Sequence, residues 1–150
     1  MTESTRVDGP AELSALMASY KGFVTYVPLR GEVPFLDYLS LPEDAVKYQI
    51  APRASLDPME EANIARRLMG DLPTCILVPG QEFDAAGTRH GRGAGWYDRF
   101  LALVPRDWKR VGVCFGSQFS TTPLSREAWD QTMDMVAVIQ DGSVTVYQSS

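Results

Sequence analysis

The chain has 150 residues, 45% of them hydrophobic and 22% charged, with a formal net charge of -5. That is long and apolar enough for one domain, residues 1–150, with a real core, and the acidic balance excludes the basic face that a nucleic-acid partner demands. No apolar run approaches membrane-spanning length and Met1 to Pro10 lacks a signal core, so the expectation is a soluble cytoplasmic protein with no membrane partner.

Residues 10 to 21 predict an amphipathic helix, with Leu13, Leu16, Met17 and Tyr20 on one face. Asp8 or Gly9 would cap it, Pro10 would stand in its first turn, and Gly22 would end it. Phe23 to Val27 is a β-rich run closed by Pro28, the first strand. Pro34 to Leu41 suggests a short helix, and Val46 to Ala51 alternates as a second strand. Asp57-Pro58 with Glu60 has the cap, first-turn proline and acid of a helix start, running to about Met69. Cys75 to Val78 is a fully apolar strand of the kind buried on both faces of a parallel sheet.

Val111 to Phe115 repeats that pattern, ending in the polar run Ser117 to Thr122, and 124 to 130 reads as a short helix. Met135 to Ile139, the turn pair Asp141-Gly142, and Val144 to Tyr147 make a terminal hairpin. Strands alternating with helices give an α/β fold: three layers, doubly wound, mostly parallel, with a C-terminal antiparallel hairpin. Ligands of such sheets sit at the carboxyl ends of the strands. Glu32, the segment after Val78, and Gln118 would therefore face a common cleft. Cys75 and Cys114 both fall inside apolar strands, which reads as buried thiols rather than a disulfide. One histidine, His90, excludes a zinc constellation.

The segment Arg89-His90-Gly91-Arg92-Gly93-Ala94-Gly95-Trp96-Tyr97-Asp98-Arg99 carries the chemistry. Alternating glycines let the backbone approach a ligand closely. They lead into a helical pattern, Tyr97, Phe100, Leu101 and Val104, stopped by Pro105. Backbone N–H groups at a helix start favour an anion. Arg89, Arg92 and Arg99 add full positive charges, and Asp98 offers a carboxylate to a magnesium ion. A Walker loop is excluded because no lysine is present, and the Gly-x-Gly-x-Gly spacing is not the dinucleotide fingerprint. What remains is a phosphate cradle, set against a plain surface turn that caps a helix.

Val78-Pro79-Gly80, Phe83-Asp84, Gly87 and the run Arg89 to Arg99 resemble the signature of the 5-formyltetrahydrofolate cyclo-ligase family, also called methenyltetrahydrofolate synthetases. Tyr26-Val27-Pro28 with Gly31-Glu32-Val33, Val111-Gly112-Val113 through Gln118, and Trp129-Asp130 with Met133-Asp134-Met135-Val136 are similar to its other motifs. The resemblance implies an ATP- and Mg²⁺-dependent cyclisation of 5-formyltetrahydrofolate to 5,10-methenyltetrahydrofolate through a phosphorylated imidate. It implies that Arg89 with Gly91, Arg92, Gly93, Ala94, Gly95, Trp96 and Tyr97 holds the triphosphate, and that Arg89 and Asp98 are catalytic. It further implies that Asp98 and Asp134 bind magnesium, and that Glu32, Tyr97 and Gln118 contact the folate. By position alone, Tyr97 is a core residue and Asp134 a turn residue.

Two departures stand out. The family's opening helix is rich in Lys and Arg, whereas the first ten residues here offer only Arg6. The link from Pro52 to Thr74 is also shorter than the family's. A homodimer partner, or Arg53, Arg66 and Arg67, would have to replace the lost cations. The alternatives are a nucleotide-binding relative with a lost or changed folate reaction, and a non-catalytic interaction protein.

Overall fold

Residues 4–8, 10–51, 57–91 and 95–149 are described in the computed structural model. In chain order they form β1 (Ser4–Asp8), α1 (Pro10–Ala18), β2 (Gly22–Tyr26), a 3-10 turn (Phe35–Asp37), β3 (Val46–Ile50) and α2 (Pro58–Met69). There follow β4 (Thr74–Val78), β5 (Glu82–Asp84), β6 (Arg89–His90), α3 (Trp96–Leu103) and β7 (Lys109–Phe115). A second 3-10 turn (Gly116–Gln118), β8 (Phe119–Ser120), β9 (Met135–Gln140) and β10 (Ser143–Ser149) complete the order. The main sheet runs β1-β10-β9-β7-β4-β2-β3. Its β3, β2, β4, β7 and β9 are mutually parallel, while β10 and β1 continue it in antiparallel fashion. This is the expected doubly wound α/β architecture with its C-terminal hairpin.

Local chemistry explains the elements. Asp57 accepts a hydrogen bond from Glu60 N at 2.9 Å, Pro58 begins α2, and Gly70 ends it at φ 54° with its N–H on Arg66 O. The β9–β10 turn places Asp141 at φ 53° and Gly142 at φ 77°, the two left-handed residues that a tight hairpin needs. Every residue of β4 is buried, because helices cover both faces of the sheet. One face packs Ala62, Ala65 and Met69 of α2 and Phe100 and Leu101 of α3 on Ile76 and Val78. The other packs Leu13 and Met17 of α1, with Phe35 and Leu39, on Phe23, Cys75 and Leu77.

The structure departs from the sequence reading in three places. Residues 124–130 contain no helix. Side chains from elsewhere take the backbone groups that a helix would use: Asp84 Oδ2 accepts from Leu124 N, and the His90 ring bonds Ser125 O. Asp130 Oδ2 accepts from Glu127 N, closing a local turn. Second, Ser4–Asp8, for which the sequence predicts no element beyond a capping Asp8, is an edge strand paired with β10. Third, β6, β5 and β8 form a small separate sheet. Its β5–β6 turn is organised by Asp84, only 3% exposed, whose Oδ1 accepts from Ala86 N and Thr88 N at 3.0 and 2.9 Å.

Candidate active site

The main sheet changes direction between β2 and β4. After β2 the chain passes along the α1 face to β3, then returns along the opposite face through α2 to β4 on the far side of β2. Loops that leave such a switch point part above the sheet and open a crevice. The loop after β2 is pinned inside by the buried Tyr26 hydroxyl, which donates to Val33 O at 2.7 Å. It is also closed on itself, with Leu29 N donating to Glu32 Oε1 at 2.8 Å and Glu32 N to Leu29 O at 2.9 Å.

Arg89 stands above the carboxyl end of β4, where its Nε donates to Pro79 O at 2.6 Å. Its guanidinium lies 4.8 Å from the centre of the Tyr97 ring, a cation–π contact. Gly91 permits this placement, since a Cβ there would lie 2.9 Å from Arg89 Nη1. Burial lowers the Arg89 pKa, and the neighbouring Tyr97, Asp98, Glu32 and Asp130 oppose that shift. Those three carboxylates therefore share the electrostatic neighbourhood of Arg89.

Tyr97 is 7% exposed, and its hydroxyl has no hydrogen-bond partner among the described residues. Burial pushes its pKa upward; the Arg89 charge works the other way, and Glu32 and Glu61 add to the rise. A buried hydroxyl without a partner costs free energy that a ligand's acceptor would recover. Beside it α3 begins at Gly95 in the left-handed region, φ 70°, with no side-chain cap. The helix-start N–H groups are thus not taken by a capping side chain. Trp96 stacks on Phe100 with centroids 5.3 Å apart, which fixes this first turn. Arg92, Gly93 and Ala94 lie outside the described residues.

The remaining sequence-derived residues divide by partner. Asp98 Oδ1 accepts from Gln131 N at 3.0 Å, which draws the 122–134 segment against α3. Its Oδ2 accepts nothing from the described residues. Asp130, which sequence reasoning did not single out, has the same pattern: Oδ2 is used by Glu127 N, and Oδ1 accepts nothing from the described residues. Asp134 differs. Its Oδ2 accepts from Arg110 N at 2.9 Å and its Oδ1 pairs with Arg106 Nη2 at 3.3 Å, at the amino end of β9. It shares no partner with Asp98. Gln118 uses both ends of its amide on backbone, accepting from Phe115 N at 2.8 Å and donating to Gly31 O at 3.0 Å.

Of the cations offered as replacements, Arg53 lies outside the described residues. Arg66 and Arg67 line an open cleft of about 650 Å³ with Gly70, Pro105 and Trp108, at the C-terminal end of α2 and away from the carboxyl-end rim. Among the described residues no group of three or more His, Cys, Asp or Glu side chains is gathered to hold a metal. Among the described residues no helix is long and apolar enough to cross a membrane.

The model of the 5-formyltetrahydrofolate cyclo-ligase family matches residues 35–139. The 5-formyltetrahydrofolate cyclo-ligase of Mycoplasma genitalium is 25% identical over 121 residues, which cover 77% of this chain and 71% of that protein. The yeast Saccharomyces cerevisiae protein of the same name is 37% identical over 84 residues, 52% of this chain and 39% of its own. A solved 5,10-methenyltetrahydrofolate synthetase from Mycoplasma pneumoniae shares the fold, with a TM-score of 0.56 at 18% identity over 85% of this chain and 80% of that one. The glycine loop, the Arg89–Tyr97 pair, Asp98 and Asp130 fall within the matched span, with Glu32 just before it, and the chain belongs to the 5-formyltetrahydrofolate cyclo-ligase family.

Proposed function

We propose that the chain is an ATP- and Mg²⁺-dependent ligase that closes 5-formyltetrahydrofolate to 5,10-methenyltetrahydrofolate. The observation that carries this reading is the Arg89–Tyr97 pair at the switch point: a partly buried cation over a ring whose hydroxyl is buried and has no hydrogen-bond partner among the described residues. Phosphoryl transfer asks for charge neutralisation and alignment more than for a strong base. Arginine, helix-start N–H groups and carboxylates supply both. The formyl oxygen attacks the γ-phosphorus and ADP leaves; the folate nitrogen at position 10 then attacks the formyl carbon, gives up its proton to solvent, and phosphate departs, closing the ring. Arg89 and the Gly91–Gly95 loop hold the triphosphate, Tyr97 bonds the reacting region, and Glu32 orients the folate.

The acidic residues suit a magnesium ion that keeps most of its ligands as water and phosphate. Asp98 and Asp130 each fix one backbone N–H, have a second oxygen with no hydrogen bond among the described residues, and both act electrostatically on Arg89. Asp134 has both oxygens committed to Arg106 and the β7 backbone, so the metal belongs on Asp98 and Asp130. The ion would neutralise charge developing on the phosphate oxygens.

Near-ultraviolet absorbance of methenyltetrahydrofolate tests the reading directly. Product should form from 5-formyltetrahydrofolate only with ATP and Mg²⁺ present. No product, with ATP binding intact in a parallel titration, would instead make this a nucleotide-binding relative with another substrate.

A further inference from the structure

Gln118 leaves β7 in a 3-10 turn, and its side chain spans two loops that are far apart in sequence. Its Oε1 accepts from Phe115 N at 2.8 Å, at the end of β7, and its Nε2 donates to Gly31 O at 3.0 Å, in the loop after β2. The two bonds fix the amide's orientation, because only the oxygen accepts and only the nitrogen donates. Each end of the amide thus already has a backbone partner. Strands β2 and β7 lie on either side of β4, two strand spacings or about 9.6 Å apart. Gln118 therefore ties the two walls of the crevice together across the strand whose end carries Pro79 and Arg89.

Gly31 stands at φ 88°, a conformation that favours glycine, with nothing within 4 Å of a would-be Cβ. The turn it makes presents Glu32, whose charge is felt at Arg89, Tyr97 and Tyr26. The inner anchor of this loop, Tyr26 to Val33 O, is buried; Gln118 is an outer one. We infer that Gln118 is a positioning residue: it acts through the Gly31–Glu32 turn, holding Glu32 at the Arg89 cleft, and does not itself contact substrate. The functional half of this inference rests on the folate-orienting role given to Glu32 above.

Gln118→Glu separates the two bonds, since a carboxylate still accepts from Phe115 N but has no donor for Gly31 O. Hydrogen exchange of the full chain, which needs no turnover, should show faster exchange at the Leu29 and Glu32 amides in Gln118→Glu, with the melting temperature close to wild type. In turnover assays KM for the folate should rise roughly fivefold, the scale of one hydrogen bond, while kcat and KM for ATP hold. Glu32→Ala with Gln118→Glu should be no worse than Glu32→Ala alone. Unchanged exchange would overturn the inference, and so would additive losses in the double variant, which would mean that Gln118 touches substrate. Faster exchange in a protein that turns over no folate would keep the clasp and remove the folate reading instead.

Discussion

Tyr97→Phe deletes one oxygen and leaves the ring under Arg89 in place. Because that hydroxyl is buried and unpaired, its removal relieves a cost of roughly 1–3 kcal/mol. The variant should melt at or above the wild-type temperature without ligand and gain less from Mg·ATP, as read by paired thermal melts. A lower ligand-free melting temperature would count against an unpartnered hydroxyl. Asp98 and Asp134 give a matched contrast. Asp98→Asn keeps an acceptor for Gln131 N, so Mg·ATP affinity should fall with little change in melting temperature. Asp134→Ala removes the partner of Arg106 and of Arg110 N; it should cost about 1–2 kcal/mol and leave the Mg²⁺ dependence intact. Equal ATP affinity in Asp98→Asn and wild type would remove Asp98 from the metal site. Arg89, Tyr97 and Asp98 were legible in the sequence because they adjoin the glycines that announce the loop. Asp130 and Asp134 are not told apart there, since both flank the same short stretch. Which one faces the cleft depends on the path of residues 122–134, and that path is set by Asp84 and His90 from elsewhere in the chain.

Between elements, the tightest constraint is Phe83 of β5, fully buried across β7. A Cβ at Gly112 would overlap its ring, and one at Gly80 would lie 2.9 Å from it. Gly112→Ala should therefore destabilise by about 1–3 kcal/mol through overpacking, measured by urea unfolding, and adding Phe83→Leu should recover part of that loss. Equal stability of Gly112→Ala and wild type would mean that the small sheet can move away at no cost. The sequence announced α2, the apolar strands β4 and β7 and the terminal hairpin, because each carries its own period, cap or turn pair. It did not announce β5, β6 and β8, which at two or three residues are too short to show a period. Nor did it announce β1, whose pairing is decided by the exposed edge of β10. The helix expected over 124–130 failed for the converse reason: local pattern lost to side chains arriving from Asp84 and His90, and to Arg126 reaching out to Thr88 and Ala86.

At the scale of the whole molecule the buried titratable groups set a pH limit. Burial pushes Cys75 and Cys114 up to about 12 from 9.0, and burial with the Glu61 hydrogen bond pushes Tyr48 up to about 12 from 10.0. Groups whose folded pKa is raised stabilise fully below their unfolded pKa and lose that contribution as pH rises toward the folded value. Stability should thus decline from about pH 9, by up to about 1.4 kcal/mol per pH unit for each cysteine ionised only in the unfolded chain. Arg110, pushed down to about 10 mainly by burial, acts in the opposite sense above pH 10, so the decline is clearest between pH 9 and 10. Chemical denaturation across that window should show a shallower fall for Cys75→Ala with Cys114→Ala; an unchanged slope would place the titration elsewhere. The pairing of β1 with β10 bears on time rather than on energy. Ser4 faces Ser149 in the sheet, and nearly the whole chain lies between them. On a ribosome β1 emerges well before β10, and it can take its place in the sheet only once β10 has left the tunnel. Loop-closure entropy makes such long-range pairing slow. β1, which precedes every other strand of the sheet, is thus among the last of them to be placed.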